Sequence, residues 1–133
     1  MALLIGVILA LAVGLFATGI RLDRERGLYT TVTIVVASYY ALFAVMGAPA
    51  HTLLLELLVA GLFVALAALG FKSSLWLVAA ALAGHGIFDL THDAFISNPG
   101  VPQWWPPFCA AYDVTAAAYL AGLLASGRLR AAA

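Results

Sequence analysis

Between residues 85 and 95 the chain reads HGIFDLTHDAF, which sets His85, Asp89, His92 and Asp93 in one short stretch of an otherwise apolar segment. On a helix, His85, Asp89 and His92 stand at i, i+4 and i+7, within about 60° of one another, and Asp93 flanks that stripe. Neutral imidazole and carboxylate are ligands for zinc, iron, manganese and copper, and two histidines with one carboxylate form a recurrent donor set. His85, Asp89, His92 and Asp93 are therefore the candidate metal ligands, with a divalent or transition metal ion as the expected cofactor. His85 and His92 lie about 10.5 Å apart along a helix that rises roughly 1.5 Å per residue. One ion cannot comfortably take both. The expectation is one ion on part of the stripe, completed by Glu56 or Asp113, or two ions sharing carboxylates.

Glu56 and Asp113 are the candidate catalytic residues, as ligand or general base, and a histidine outside the ligand set could move protons. The chain has no Gly-x-Ser-x-Gly, no His-Glu-x-x-His and no phosphate-cradling loop. The reaction type, and whether the protein is an enzyme at all, stay open on sequence alone. A metal-activated water or oxidant acting on a lipid-like or other hydrophobic substrate is the leading reading. Intramembrane acids and histidines also mark proton and ion pathways, so a proton- or ion-coupled transporter or channel is one alternative. The LWLVAAALAG run below His85 opposes it, because it offers no polar route onward. An accessory subunit that positions a cofactor in a larger membrane complex is the other alternative. Haem has no attachment motif here, and the only lysine, Lys72, falls in a loop, which argues against a retinal Schiff base.

The elements that must hold these residues are membrane helices. Of 133 residues only 9% are charged and 65% are hydrophobic, with a mean hydropathy of +1.10. That composition lies far from soluble domains. A bilayer core about 30 Å thick needs roughly 20 apolar residues per crossing. Five runs qualify, at approximately 2–20, 29–46, 50–70, 75–96 and 107–126. The expected fold is all-α, a single transmembrane domain of five helices. The first run lacks a positive N-terminal region and reads as a retained crossing rather than a signal peptide. Pro49 suits the first position of the third helix, Gly70 suits its stop, and RLDRER reads as a solvated loop.

With five crossings, Arg21, Arg24, Arg26, Lys72, Arg128 and Arg130 all fall at one end. The positive-inside rule assigns that end to the cytoplasm. The N-terminus is then outside, the C-terminus inside, and the polar residues occupy the outer half of a membrane, expected to be a bacterial inner membrane. Trp104 and Trp105 fit an outer aromatic belt. A charged side chain at mid-bilayer costs at least about 2.5–3.5 kcal/mol, so the stripe must face the bundle or a wet cavity. Gly84 and Gly86 bracket His85 and would let a neighbour approach. Ala80 with Gly84, and Ala118 with Gly122, are small pairs at helix-packing spacing. Cys109 reads as inert and buried, His51 as a wet interfacial histidine, and Tyr39 and Tyr40 as packing residues with one hydroxyl free to face the cluster. Net charge is zero, so no nucleic-acid partner is indicated. The expected partners are membrane lipid, a hydrophobic small molecule, and a second copy or a larger membrane complex.

Overall fold

In hydrocarbon every backbone N–H and C=O must find its partner within the segment, so a long apolar run has little choice but to become a helix. The computed structural model describes residues 1–132, and the five apolar runs are five helices. They are α1 (Ala2–Gly19), α2 (Gly27–Gly47), α3 (Ala50–Lys72), α4 (Leu75–Phe95) and α5 (Trp105–Ala125). Each is long and apolar enough to cross a membrane. A short 3-10 turn, Leu22–Arg24, joins the first two.

α5 packs between α1 and α4, α4 also packs on α3, and α3 on α2. α1 and α2 do not pack directly on each other among the described residues. The helices are apolar all round, so the buried face is chosen by size and polarity rather than by hydrophobicity. α1 buries only Gly6, Ala10, Gly14 and Ala17, a seam of small residues. Gly6 lies against the Phe108 carbonyl, and Gly14 lies under the Tyr119 ring. This seam, rather than the small pairs expected from spacing, carries close packing: Ala80, Ala118 and Gly122 are exposed.

Three local expectations are corrected. Pro49 stands just before α3 as its cap, with φ −65° and ψ 158°, and its carbonyl accepts from Leu53 N at 3.2 Å. α3 runs through Gly70 to Lys72. There a Cβ would lie 2.6 Å from Val78 Cγ2, so Gly70 permits the tight α3–α4 hairpin rather than ending the helix. The RLDRER loop is more structured than a solvated turn. Asp23 is buried and accepts from Thr18 Oγ1 at 2.7 Å. Arg26 donates to the Phe71 carbonyl at 2.8 Å and to the Ala131 carbonyl at 2.9 Å. A guanidinium on the last carbonyls of α3 satisfies orphan acceptors and complements the helix dipole, and it ties the C-terminal segment to this end.

Candidate metal centre

Two helix pairs set the polar residues face to face. On α4, His85 and Asp89 are one turn apart on the buried stripe; on α5, Cys109 and Asp113 are one turn apart on theirs. Gly86 brings the stripes together. A Cβ at that position would lie 3.0 Å from the Ala110 carbonyl and 3.1 Å from Asp113 Cβ, so any other residue would press α5 outward by a few tenths of an ångström. Gly84 has nothing closer than the Phe63 ring at 3.9 Å and does not limit the packing.

The result is a buried group of His85, Asp89, Cys109 and Asp113, whose ligand atoms all lie within 4.8 Å of one another. His85 Nδ1 is 2.6 Å from Asp113 Oδ2 and 3.7 Å from Asp89 Oδ2. Cys109 Sγ is 3.8 Å from Asp113 Oδ2. The Phe63 and His85 rings meet nearly perpendicular, with centroids 4.9 Å apart, which helps hold the imidazole in place. Both Asp89 oxygens and Asp113 Oδ1 are buried without a protein hydrogen-bond partner. A buried carboxylate oxygen without a partner is costly unless a cation or donor meets it.

One turn beyond Asp89, nearer the end of α4 and of the bundle, a second and in that sense outer group forms around His92. Its Nε2 is 2.8 Å from Glu56 Oε1, and Asn98 Nδ2 donates to the same oxygen at 2.8 Å. Asn98 also donates to the Tyr40 carbonyl at 3.1 Å and accepts from Gly100 N at 3.1 Å. The Tyr40 ring stacks on His92 with centroids 4.0 Å apart. The group therefore links α2, α3, α4 and the loop before α5. Asp93 reaches His92 Nδ1 at 3.3 Å, but its side chain is 83% exposed.

The four residues of the α4 stripe thus divide. His85 and Asp89 join Asp113, which the sequence offers as a completing ligand, while His92 and Asp93 stand with Glu56. Two members were not singled out by sequence. Cys109, read as inert, is indeed buried but belongs to the inner group; its spacing of one turn before Asp113 repeats that of His85 before Asp89. Asn98 hides in SNPGVP, whose composition signals only a turn.

Beside the inner group runs a cleft of about 300 Å³ in the gap between α1 and α2. Leu9 and Val13 form one wall, Val32 and Val36 the other, and Phe108 and Cys109 of α5 contribute to the lining. Cys109 therefore belongs to both the polar group and the cleft wall. Along α2 the cleft extends from Leu28 to Tyr39, about 16 Å at the helical rise.

Against models of protein families, curated proteins and solved structures, the chain matches none, so the functional reading rests on this geometry.

Proposed function

We propose that the protein is an integral membrane metalloprotein that holds one first-row transition metal ion on His85, Asp89, Cys109 and Asp113, and uses it in chemistry on a hydrophobic substrate. The single observation that carries the reading is the convergence of four ligand-type side chains, all buried and within 4.8 Å, around carboxylate oxygens that lack other partners. Tetrahedral coordination at bond lengths near 2.0–2.3 Å puts ligand atoms about 3.3–3.8 Å apart. The separations of 3.7 Å from His85 to Asp89 and 3.8 Å from Cys109 to Asp113 already have that size. The direct His85–Asp113 contact would open by about 1 Å as the ion enters.

The mixed nitrogen, sulfur and oxygen set favours zinc first and iron second. With thiolate and both carboxylates ionised, a divalent ion leaves one net negative charge. A proton retained on one ligand makes the site neutral, which a low-dielectric interior favours. The ion would serve as a Lewis acid or activate a bound water. His85 would be held by Phe63, and its direct contact with Asp113 would give way to the ion between them.

The cleft supports a hydrophobic substrate. It is about twice the roughly 150 Å³ cavity that accepts a benzene, its lining is mostly apolar, and Cys109 touches both it and the ligand group. The buried face of α4 below His85, made of Leu75, Val78, Ala79, Ala81 and Leu82, supports a one-sided site over a conducting path. Segregation of the basic residues supports a cytoplasmic basic end and a site nearer the outer face.

Cobalt substitution tests the ligand set. The expected result is a sulfur-to-cobalt charge-transfer band that disappears in Cys109→Ser and persists in His92→Gln. Absence of that band in folded, cobalt-loaded protein would contradict thiolate ligation.

A further inference from the structure

The six basic side chains sit at one end of the bundle with two acids, Asp23 and Glu25, in the nearby loop. Asp23 is buried against Thr18, and no arginine or lysine forms an ion pair among the described residues. Arg26 is committed to backbone carbonyls. Arg21, Arg24, Arg128 and Arg130 are arranged around two cavities. One, of about 330 Å³, is lined by Arg21, Arg24 and Arg128 together with Thr18, Asp23 and Leu123. The second, of about 440 Å³, is lined by Arg24, Arg26, Arg128 and Arg130. Arg24 and Arg128 line both, which makes the cavities neighbours. The guanidinium groups come from two segments far apart in sequence, the α1–α2 loop and the chain after α5.

Although Asp23 shares the first cavity, it accepts from Thr18 and pairs with no arginine, and guanidinium groups left unpaired around a cavity complement a phosphate, which they can grip through paired N–H donors. The surroundings separate a lipid phosphate from a free one. Phe16, Ile20 and Leu22, next to Arg21, are 65%, 56% and 43% exposed. Basic pockets at the end of a helix bundle beside exposed apolar side chains match both parts of a phospholipid, headgroup and chains.

We propose that the basic end binds the headgroup phosphate of an anionic phospholipid, with Arg24 and Arg128 as its shared contacts and Phe16, Ile20 and Leu22 alongside the acyl chains. This site is at the far end of the bundle from the metal centre and does not depend on it. It would hold the α1–α2 loop and the C-terminal segment to the membrane surface, at the place where Arg26 already joins them to α3.

Native mass spectrometry of the detergent-solubilised full chain tests the proposal, with phosphatidylglycerol, phosphatidylcholine and inorganic phosphate as separate probes. The expected result is retention of phosphatidylglycerol over phosphatidylcholine, weakened about fivefold by either Arg24→Gln or Arg128→Gln and about 30-fold by both. Lys72→Gln removes a charge at the same end outside both cavities, and should leave binding unchanged. Equal retention of the two lipids overturns the proposal on the unaltered chain. So does inorganic phosphate that competes fully with the lipid, which would make the ligand a free anion. Equal loss in Lys72→Gln and Arg24→Gln would reduce the effect to general surface charge.

Discussion

His85 and His92 lie two turns apart on one face of α4, each buried and each against a carboxylate from a neighbouring helix, yet their surroundings differ in one respect. Around His92, Glu56 Oε1 meets both the imidazole and Asn98, Tyr40 stacks on the ring, and Asn98 is itself bonded on both sides. Two oxygens, Glu56 Oε2 and the Tyr40 hydroxyl, have no protein partner there. Around His85, three carboxylate oxygens have none, and a thiol faces the same point. The outer group uses most of its hydrogen bonds to join helices; the inner group leaves more carboxylate oxygens unpaired, with four ligand-type side chains brought within reach of one another. The same residue types therefore make a hydrogen-bonded joint at one place and a cluster of unpaired carboxylate oxygens, the ligand set proposed above, at the other. The difference lies in what the neighbouring helices contribute.

The largest expected effect comes from removing an inner ligand. His85→Gln or Asp89→Asn should weaken metal binding by more than the roughly 10–100-fold typical of an outer-shell partner, checked by competition with a chromophoric chelator. The outer group should respond in stability instead. His92→Ala leaves Glu56 buried without its main partner, and breaking such a pair costs about 3–5 kcal/mol, measurable by unfolding in detergent. The double substitution His92→Leu with Glu56→Leu should cost less than the single one, because no lone carboxyl remains. Loss of metal in the double variant would erase the distinction between the groups.

Gly86→Ala sits between these extremes and tests the shared wall. Its added methyl would meet the Ala110 carbonyl and Asp113 Cβ at 3.0–3.1 Å and press α5 from α4, with an expected overpacking cost of about 1 kcal/mol. Metal affinity should fall with it, since Asp113 and Cys109 move with α5. The corresponding Gly84→Ala meets only the Phe63 ring at 3.9 Å and should change little. The smallest effect belongs to Asp93→Asn. Its side chain is 83% exposed, so stability should remain within about 0.5 kcal/mol and metal content should not change. A clear loss of metal there would return Asp93 to the ligand set.

The fold is largely legible in the sequence because bilayer physics leaves few choices. A run such as Ala2 to Ile20 can only be a helix, and Gly-Ala-Pro and Ser-Asn-Pro-Gly can only interrupt one. Periodicity shows His85 and Asp89 on one face, since a helix fixes angles within itself. It says nothing of which turn of α5 comes opposite, and that depends on Gly86 and on the small seam of α1 against α5. Cys109 is invisible for this reason: a lone cysteine in apolar sequence is usually a small hydrophobe. His92 shows the limit from the other side. Its position in the stripe is right, but Asn98 lies beyond the helix end, and no spacing rule brings it back onto Glu56. Gly70 shows the same limit, because a stop signal and a close-packing signal are the same residue.

The most direct test is elemental analysis of purified, never-chelated protein, in parallel with His85→Gln and His92→Gln, each confirmed as folded. Near-stoichiometric transition metal is expected in the unaltered chain and in His92→Gln, and its loss in His85→Gln. Metal that follows His92 instead, or folded unaltered protein that carries none, would contradict a metal centre built on His85, Asp89, Cys109 and Asp113.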